Sequence, residues 1–402
     1  MARLTSLTLA SATFVCLVTG ISLPPPTGPY NVGSKPYVLN HTTLNDPIAP
    51  NNISTSILVN VYYPTHDSAP LQKYIWRGLA ATYETYYKLP PGTFGNTTAN
   101  IAYNATPLKH AECVKLKLPT LLFGPPFAGP ASQMFFALIS EVVSRGYTVV
   151  SVDHPYEQPY LQYPDGTSFL GHSVDWSPGP EVYIPTEVYR VTENSAVLDA
   201  LPSISRHLKL SLNITHFAFF GHSLGGSAAL AQIPTERNRT SSRHKKFLGT
   251  IDLDGTVFGR ASANDSSVDV HAPTLLFASS SHERLYDPTW PVFESWQTSW
   301  RKEIRALGNI NHTDFSDLIF LKQANGISGG GAAIPATRFL NVTRTFVGAF
   351  FEMLIGGGEG VLTGDAQVQR EWPEVVFEFN GTGNPCASEF EILCWEPNAL
   401  PE

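Results

Sequence analysis

The segment Gly221-His222-Ser223-Leu224-Gly225 is the part of the chain whose residue types and spacing point most directly to chemistry. It has the form G-x-S-x-G, in which a serine stands in a sharp turn between a strand and a helix. The backbone of such a turn is strained, and Gly221 and Gly225 leave it room. An apolar run, 217–220, precedes the turn and is typical of a strand, and small residues typical of a helix follow it. We therefore predict that Ser223 is a nucleophile.

A nucleophilic serine needs a histidine base and a carboxylate that orients it, and after this type of turn the acid precedes the histidine in the chain. Asp254 ends a predicted strand over 248–254, at the sheet edge where functional residues collect. Glu283, in the loop after the next predicted strand, is the alternative acid. His312 lies in a late polar loop and is the predicted base, with His282 as the alternative.

Three further residues near these positions have supporting roles in our interpretation. His222, beside the serine, and His154, at the end of another predicted strand, are expected to form hydrogen bonds that support the site rather than to transfer protons. Asp252 lies inside the strand before Asp254 and is expected to cap a neighbouring loop.

The elements that position these residues alternate between strands and helices from residue 118 onward. Apolar runs over 118–123 and 147–152 are typical of strands buried on both faces. Apolar residues at helical spacing over 134–143 predict a helix between them. A first strand is predicted over 53–63. The pattern indicates an α/β fold with a mostly parallel central sheet flanked by helices.

We interpret the chain as one domain over 53–360 that follows a Pro-rich leader over 23–52 and precedes a tail over 361–402. Two stretches, at about 64–118 and 154–185, lack sustained periodicity and are too long for ordinary connections. They are predicted to be insertions, and the second is of a kind that often forms a lid or a pocket wall.

Composition excludes several classes of protein. The 402 residues are 43% hydrophobic and 15% charged, which is enough apolar material for a large core and excludes collagen-like, coiled-coil and wholly disordered chains. The net charge of -8, from 34 acidic and 26 basic residues, opposes a polyanionic partner. Nucleic acid is therefore not an expected partner.

The first 22 residues have the pattern of a secretory signal peptide. Arg3 is followed by an apolar stretch over 7–18 and by small residues, so cleavage is expected near residues 20–22. A membrane anchor is the alternative, but this stretch is short for a span and is interrupted by Ser and Thr. Ten N-x-[ST] sequons agree with a secreted glycoprotein: Asn40, Asn52, Asn96, Asn104, Asn213, Asn238, Asn264, Asn311, Asn341 and Asn380.

Removal of the signal would leave three cysteines, Cys113, Cys386 and Cys394. Cys386 and Cys394 could close a small loop in the tail and leave Cys113 free, or Cys113 could pair with either of them. Three scattered cysteines without histidine at ligand spacing argue against a zinc site.

The whole pattern resembles the secreted platelet-activating-factor acetylhydrolases, lipase-like α/β-hydrolases that remove short acyl groups from phospholipids without a metal. Five segments carry the resemblance: Val61–Pro64, Ser144–His154, Gly221–Gly226, Leu253–Gly259 and Asn309–Phe315. The resemblance implies the α/β-hydrolase fold and the triad Ser223, Asp254 and His312. It also implies an ester or phospholipid substrate, no cofactor, and contact with a lipid interface.

One segment departs from that family. Where the family has a His-Gly pair for its oxyanion hole, this chain has Phe123-Gly-Pro-Pro-Phe-Ala128. Pro125 and Pro126 have no backbone N–H and cannot donate a hydrogen bond. Phe127 is the first donor after them and matches the family's donor position, and Leu224 follows the nucleophile. We predict that these two N–H groups form the oxyanion hole.

The resulting hypothesis is a secreted serine carboxylester hydrolase that works through an acyl-enzyme. A cutinase-like, polyester or glyceride esterase is one alternative. A hydrolase-fold binding protein without activity is another, favoured if the double proline distorts the oxyanion hole. The sequence does not specify the substrate-binding residues, but five aromatic residues are candidates for an apolar pocket wall: Tyr156, Tyr160, Trp176, Phe258 and Trp290.

Overall fold

The computed structural model describes residues 20–116, 118–174, 176–327 and 332–381. The predicted signal peptide up to residue 19, and Cys386 and Cys394 in the tail, lie outside these ranges.

The described residues form fourteen strands and nine α-helices. The strands are β1 (Asn31–Leu44), β2 (Ile53–Thr65), β3 (Leu71–Lys73), β4 (Thr98–Asn100), β5 (Ala102–Tyr103), β6 (Thr120–Gly124), β7 (Thr148–Asp153), β8 (Tyr160–Gln162), β9 (Ser168–Leu170), β10 (His216–His222), β11 (Lys246–Leu253), β12 (Thr274–Ala278), β13 (Arg301–Ala306) and β14 (Val375–Gly381). The helices are α1 (Arg77–Tyr86), α2 (His110–Leu116), α3 (Phe136–Ser144), α4 (Pro180–Leu208), α5 (Leu224–Arg237), α6 (Thr289–Ser295), α7 (Leu318–Ala324), α8 (Ala336–Leu354) and α9 (Ala366–Glu371).

Ten of these strands form the central sheet, in the order β14-β13-β12-β11-β10-β6-β7-β2-β1-β5. The six strands from β13 to β7 run parallel to one another. On one side β14 is antiparallel to β13, and on the other β2 and β1 form an antiparallel pair. Because parallel strands share one carboxyl edge, the ends of β6, β10, β11 and β12 converge there.

The core lies on both faces of this sheet. Along β10 the side chains alternate, since Phe217 and Phe219 join one apolar cluster and Phe220 joins the other. Helices α3 and α8 cover the face that carries Phe220, and α4 and α5 cover the opposite face. Burial on both faces explains why the central strands are nearly continuous apolar runs.

Residues before the predicted domain are part of the folded body. The Arg344 guanidinium, on α8, donates to the carbonyl oxygens of Pro24 at 2.9 Å and Pro25 at 3.3 Å. The Thr27 hydroxyl and backbone N–H both donate to Glu141 of α3. Residues 31–44, assigned to the leader by sequence, form β1 and pair with β2.

The two predicted insertions contain short elements of their own. Residues 64–118 contain α1, α2, the two-stranded β3–β4 sheet and β5, which joins the edge of the central sheet beside β1. Residues 154–185 contain the β8–β9 hairpin, and α4 already begins at Pro180. Beyond residue 360, α9 and β14 continue the domain. None of the helices in the described ranges is long and apolar enough to span a bilayer.

Candidate active site

Ser223 stands in the turn between β10 and α5 with a strained backbone, at φ 57° and ψ −127°. Its N–H donates to the Leu253 carbonyl at 2.9 Å, which ties the turn to β11. The flanking glycines are needed because backbones approach closely. A Cβ at Gly221 would lie 2.3 Å from Gly225, and one at Gly225 would lie 2.2 Å from the Gly124 oxygen. This is the close packing that the G-x-S-x-G spacing predicts.

Asp254 and His312 come together at the carboxyl edge of the sheet. Asp254 directly follows β11, and His312 opens a 3-10 turn over His312–Phe315. The His312 Nδ1 donates to Asp254 Oδ2 at 2.6 Å. Because Nδ1 is bonded to the carboxylate, Nε2 is left to meet a reacting group. His312, Asp254 and Ser223 all line the same cavity.

The alternative acid and base are placed differently. Glu283 also lines the cavity, but it is partly exposed and lies 3.6 Å from the Arg305 guanidinium. His282 donates from Nδ1 to Asp254 Oδ1 at 3.1 Å and from Nε2 to Asp287 Oδ2 at 2.9 Å. Both of its ring nitrogens are therefore occupied, and neither is available to accept a proton from a serine.

Electrostatics keep the Asp254 carboxyl ionised. Its burial raises the pKa, but the hydrogen bonds from His282 and His312 outweigh burial and hold the pKa well below its ordinary value. The Ser279 backbone N–H donates to the same carboxylate. The Asp254 carboxylate can therefore accept a hydrogen bond from His312 at every pH at which a histidine can work as a base.

His222 supports the loop that carries His312. Burial, and then the neighbouring His312, lower the pKa of His222 to about 3, so this imidazole is neutral. Its Nε2 donates to the His312 carbonyl at 2.8 Å. His154 bonds Glu193 instead and does not line the cavity. Asp252 accepts from the Gly255 N–H at 2.9 Å and so caps the turn after β11.

The predicted oxyanion donors, Phe127 and Leu224, also line the cavity. Within the described part of the chain, neither backbone N–H has an acceptor. Such unpartnered N–H groups are suited to bind a developing negative charge. Leu224 owes its free N–H to its position as the first residue of α5.

The double proline before Phe127 is held by a buried ionic contact. The Arg190 guanidinium donates to the Pro125 carbonyl and pairs with Glu157. The Glu157 carbonyl in turn accepts from the Ala128 N–H at 3.0 Å. The loop therefore has fixed partners on both sides of Phe127, although its two prolines cannot donate.

The cavity has a volume of about 540 Å³ and one aromatic wall. Phe127 packs against Trp176 and Tyr183, with ring centroids 5.2 and 5.5 Å apart, and Tyr183 stacks on Phe258 at 5.2 Å. Trp176 and Phe258 were candidates from sequence, whereas Tyr183 was not. The other three candidates lie outside this wall: Tyr156, Tyr160 and Trp290.

Comparison with known proteins gives relatives and a fold. No family model matches the chain. It is 28% identical over 279 residues to a probable 1-alkyl-2-acetylglycerophosphocholine esterase of Arthroderma benhamiae, a match that covers 65% of this chain and 66% of the relative. It is 24% identical over 335 residues to a platelet-activating factor acetylhydrolase of Cavia porcellus, covering 74% of this chain and 70% of the relative. The chain thus spans about two thirds of the length of these relatives.

A solved structure of a ferulic acid esterase from Streptomyces cinnamoneus superposes with a TM-score of 0.69 at 21% identity, covering 90% of this chain and all of the esterase. This chain has the α/β-hydrolase fold. The fold class predicted from the sequence is confirmed, and so is the resemblance to proteins named as platelet-activating-factor acetylhydrolases. The roles of the individual α/β-hydrolase site residues stay predictions.

Within the described residues, one group of side chains could by distance hold a metal ion. Ligand atoms of His222, Asp254 and His312 lie within 4.8 Å of one another. The bond between His312 and Asp254, and the bond from His222 to the His312 carbonyl, account for this proximity. We assign no metal site there.

A larger groove of about 760 Å³ lies between α4 and α5, on the outside of the α/β-hydrolase sheet. It contains Ser195, but this hydroxyl is bonded to the Glu236 carboxylate and to the Val191 carbonyl at 2.9 Å. Arg239, also in the groove, is paired with Asp199 and Glu236. The bonds of these side chains connect the two helices and leave their polar groups with partners already. The smaller cavity at Ser223 is therefore the candidate active site.

Proposed function

We propose that this protein is a secreted serine carboxylester hydrolase that acts through an acyl-enzyme. The observation that carries the proposal is the 2.6 Å bond between His312 and Asp254 beside a strained Ser223 in one cavity. The names of the two relatives, an esterase and an acetylhydrolase, support the same reaction class.

In the proposed reaction, His312 Nε2 takes the proton of Ser223 as the serine oxygen attacks the ester carbonyl. Asp254 holds the imidazole in the correct tautomer and stabilises its positive charge. The N–H groups of Phe127 and Leu224 bind the oxyanion of the tetrahedral intermediate. His312 then protonates the departing alcohol, and a water molecule activated by the same histidine releases the acid.

The cavity favours an uncharged ester group near the serine. Neither Lys nor Arg is among the described residues that line it, so a phosphate would stay at its solvent-exposed mouth. Leu285 and Tyr286 are strongly exposed, and Tyr286 lines the cavity. We propose that these two residues contact a lipid interface when the substrate is a phospholipid. The inactive alternative is not favoured, because both oxyanion donors are free of other acceptors.

Short acyl esters are expected to be the better substrates. We expect kcat/KM for p-nitrophenyl acetate and butyrate to exceed that for the palmitate by about tenfold or more, because the aromatic wall limits the space beside Ser223. Activity should be unchanged by chelators. The measurement is a chain-length series with purified secreted protein, with Ser223→Ala as the control for background hydrolysis.

A rate that rises steadily to the palmitate, with activation at an interface, would contradict this expectation and indicate a lipase. Esters of hydroxycinnamic acids belong in the same series, because Trp176, Tyr183 and Phe258 could also stack on an aromatic acyl group. Hydrolysis of those esters faster than of the acetate would favour this second candidate function.

The glycosylation hypothesis gives a site-specific prediction at Asn311, the neighbour of His312. The Asn311 side chain forms a capping box with Asp314, accepting from its N–H and donating to its carboxylate at 3.3 Å. A glycan on the Asn311 amide would disturb that box and the turn that carries His312. We therefore expect this sequon to stay empty. Glycopeptide mass spectrometry of protein secreted from a eukaryotic host measures occupancy.

Exposed sequons provide the internal control for the same measurement. Eight of the ten asparagines are exposed, and high occupancy is expected at those in the range 40–104: Asn40, Asn52, Asn96 and Asn104. Full occupancy of Asn311 in an active enzyme would overturn the prediction. Absence of glycan at every exposed sequon would instead argue against the secretory route.

A further inference from the structure

The carboxylate of Asp254 bonds two histidines, and only His312 has a ring nitrogen that is not bonded to a carboxylate. Its Oδ2 accepts from His312, and its Oδ1 accepts from His282 at 3.1 Å. The other nitrogen of His282 lies 2.9 Å from Asp287 Oδ2. The chain of bonds thus runs from Asp287 through His282 and Asp254 to His312.

The two carboxylates determine the charge of His282. An ionised carboxylate can only accept hydrogen bonds, so both ring nitrogens of His282 must carry a proton and the ring is an imidazolium. Burial lowers the pKa of His282, but the bonds to Asp254 and Asp287 outweigh it and raise the pKa to about 10. For the Asp287 carboxyl, burial raises the pKa, but the hydrogen bonds from His282 and Thr289 outweigh burial and hold the pKa at about 2.

The structure also keeps this histidine in place. The Trp290 ring packs on it, with ring centroids 4.3 Å apart, and the Trp290 indole N–H donates to the Gly255 carbonyl at 2.7 Å. The Thr289 N–H donates to Asp287 Oδ1 at 2.8 Å and orients that carboxylate. His282 is therefore held between two carboxylates by packing as well as by charge.

Among the charged and titratable groups near Asp254 and His312, His282 is the cation that stays next to Asp254. Burial raises the pKa of the Asp252 carboxyl well above its ordinary value, and His222 on the other side of His312 is neutral. Two charged groups on the loop of His282 are paired elsewhere. Glu283 faces Arg305, and Arg284 is paired with Glu294 and Glu303.

We propose that His282 and Asp287 are positioning residues that extend the triad, and that the charge of His282 adjusts how strongly Asp254 stabilises protonated His312. The inference rests on the proposed function of the same site. A cation on one oxygen of Asp254 reduces the attraction that the other oxygen exerts on a second cation. Protonated His312 is thereby stabilised less by Asp254 than it would be by an aspartate that bonds one histidine only.

The first test compares pH profiles of kcat/KM for a short p-nitrophenyl ester in His282→Gln and Asp287→Asn. His282→Gln removes the cation, so the acidic limb is expected to move to higher pH by about one unit. Asp287→Asn retains the imidazole and its bond to Asp254 and removes only one of the two carboxylates that raise the pKa of His282, so its limb should move less than that of His282→Gln. His271→Gln is the matched control, because His271 is an exposed histidine paired with Asp269 at 3.1 Å, and its profile should match the wild type.

The second test does not depend on activity. In Ser223→Ala protein, ¹⁵N NMR should show both ring nitrogens of His282 protonated at about pH 8, with the signals absent from the His282→Gln version. A neutral His282 at that pH, or an acidic limb unchanged in folded His282→Gln, would overturn the inference. Failure of the proposed function would appear differently, as absence of ester hydrolysis in the wild type with His282 still doubly protonated.

Discussion

Replacement of Ser223 or His312 by Ala is expected to lower kcat for a short ester by roughly a thousandfold or more. Ser223 would lose the attacking oxygen, and His312 the group that moves its proton. Since the two act as one unit, the double variant should be little worse than either single variant. Steady-state assays on purified protein measure the loss.

Matched changes outside the cavity provide the controls. Ser295→Ala removes an exposed hydroxyl on α6, and His66→Ala removes an exposed histidine that lies 3.0 Å from Glu112. Both should retain kcat within about threefold, because neither residue lines the cavity. Thermal unfolding should show that all four single variants stay folded. Wild-type rates in His312→Ala would exclude His312 as the base.

Asp254→Asn is expected to lower kcat by roughly three to four orders of magnitude. Asparagine keeps the size of the side chain but removes the charge that stabilises protonated His312, and its amide can present a donor where an acceptor is needed. Raising the pH should not restore the rate, because the missing negative charge cannot be recovered by titration.

Glu283→Gln is the matched comparison, because it makes the same chemical change in the alternative acid. It should alter kcat by less than about threefold, since Glu283 is partly exposed and faces Arg305. A larger loss in Glu283→Gln than in Asp254→Asn would assign the acid to Glu283. Similar small losses in both would mean that His312 has another partner.

The parts of the candidate site that depend on residues close together in the sequence could be predicted from the sequence. The turn at Ser223 combines a strand, two glycines and a helix within a short segment, and the chain order of acid and histidine limited the choices that followed. The role of His282 could not be predicted in this way. It depends on the side chains of Asp254 and Asp287 meeting one imidazole from opposite sides, which is a property of the folded loops.

The central strands were predictable because burial on both faces makes them apolar runs, but the edges of the sheet were not. Strand β13 has the sequence RKEIRA, and its charges are accommodated only by tertiary partners. Lys302, for example, bonds Glu359 at 2.7 Å, and Arg305 bonds Glu378 of β14 at 2.7 Å. Strand β1 carries polar and proline residues because it lies near the opposite edge, where these are tolerated.

The bonds from Arg344 to Pro24 and Pro25 have a consequence for biosynthesis. Arg344 follows Pro24 by 320 positions. The carbonyl groups of Pro24 and Pro25 therefore acquire this hydrogen-bond donor only after nearly all of the domain has been synthesised. Contacts of such long range make folding slow, and until they form the chain exposes surface that can aggregate. If the chain is exported with a cleaved signal, the new amino terminus would until then be held only by earlier contacts, such as the bonds of Thr27 to Glu141 on α3. A ribosome-bound chain that ends before α8 should accordingly be cut faster within residues 20–30 than the complete protein.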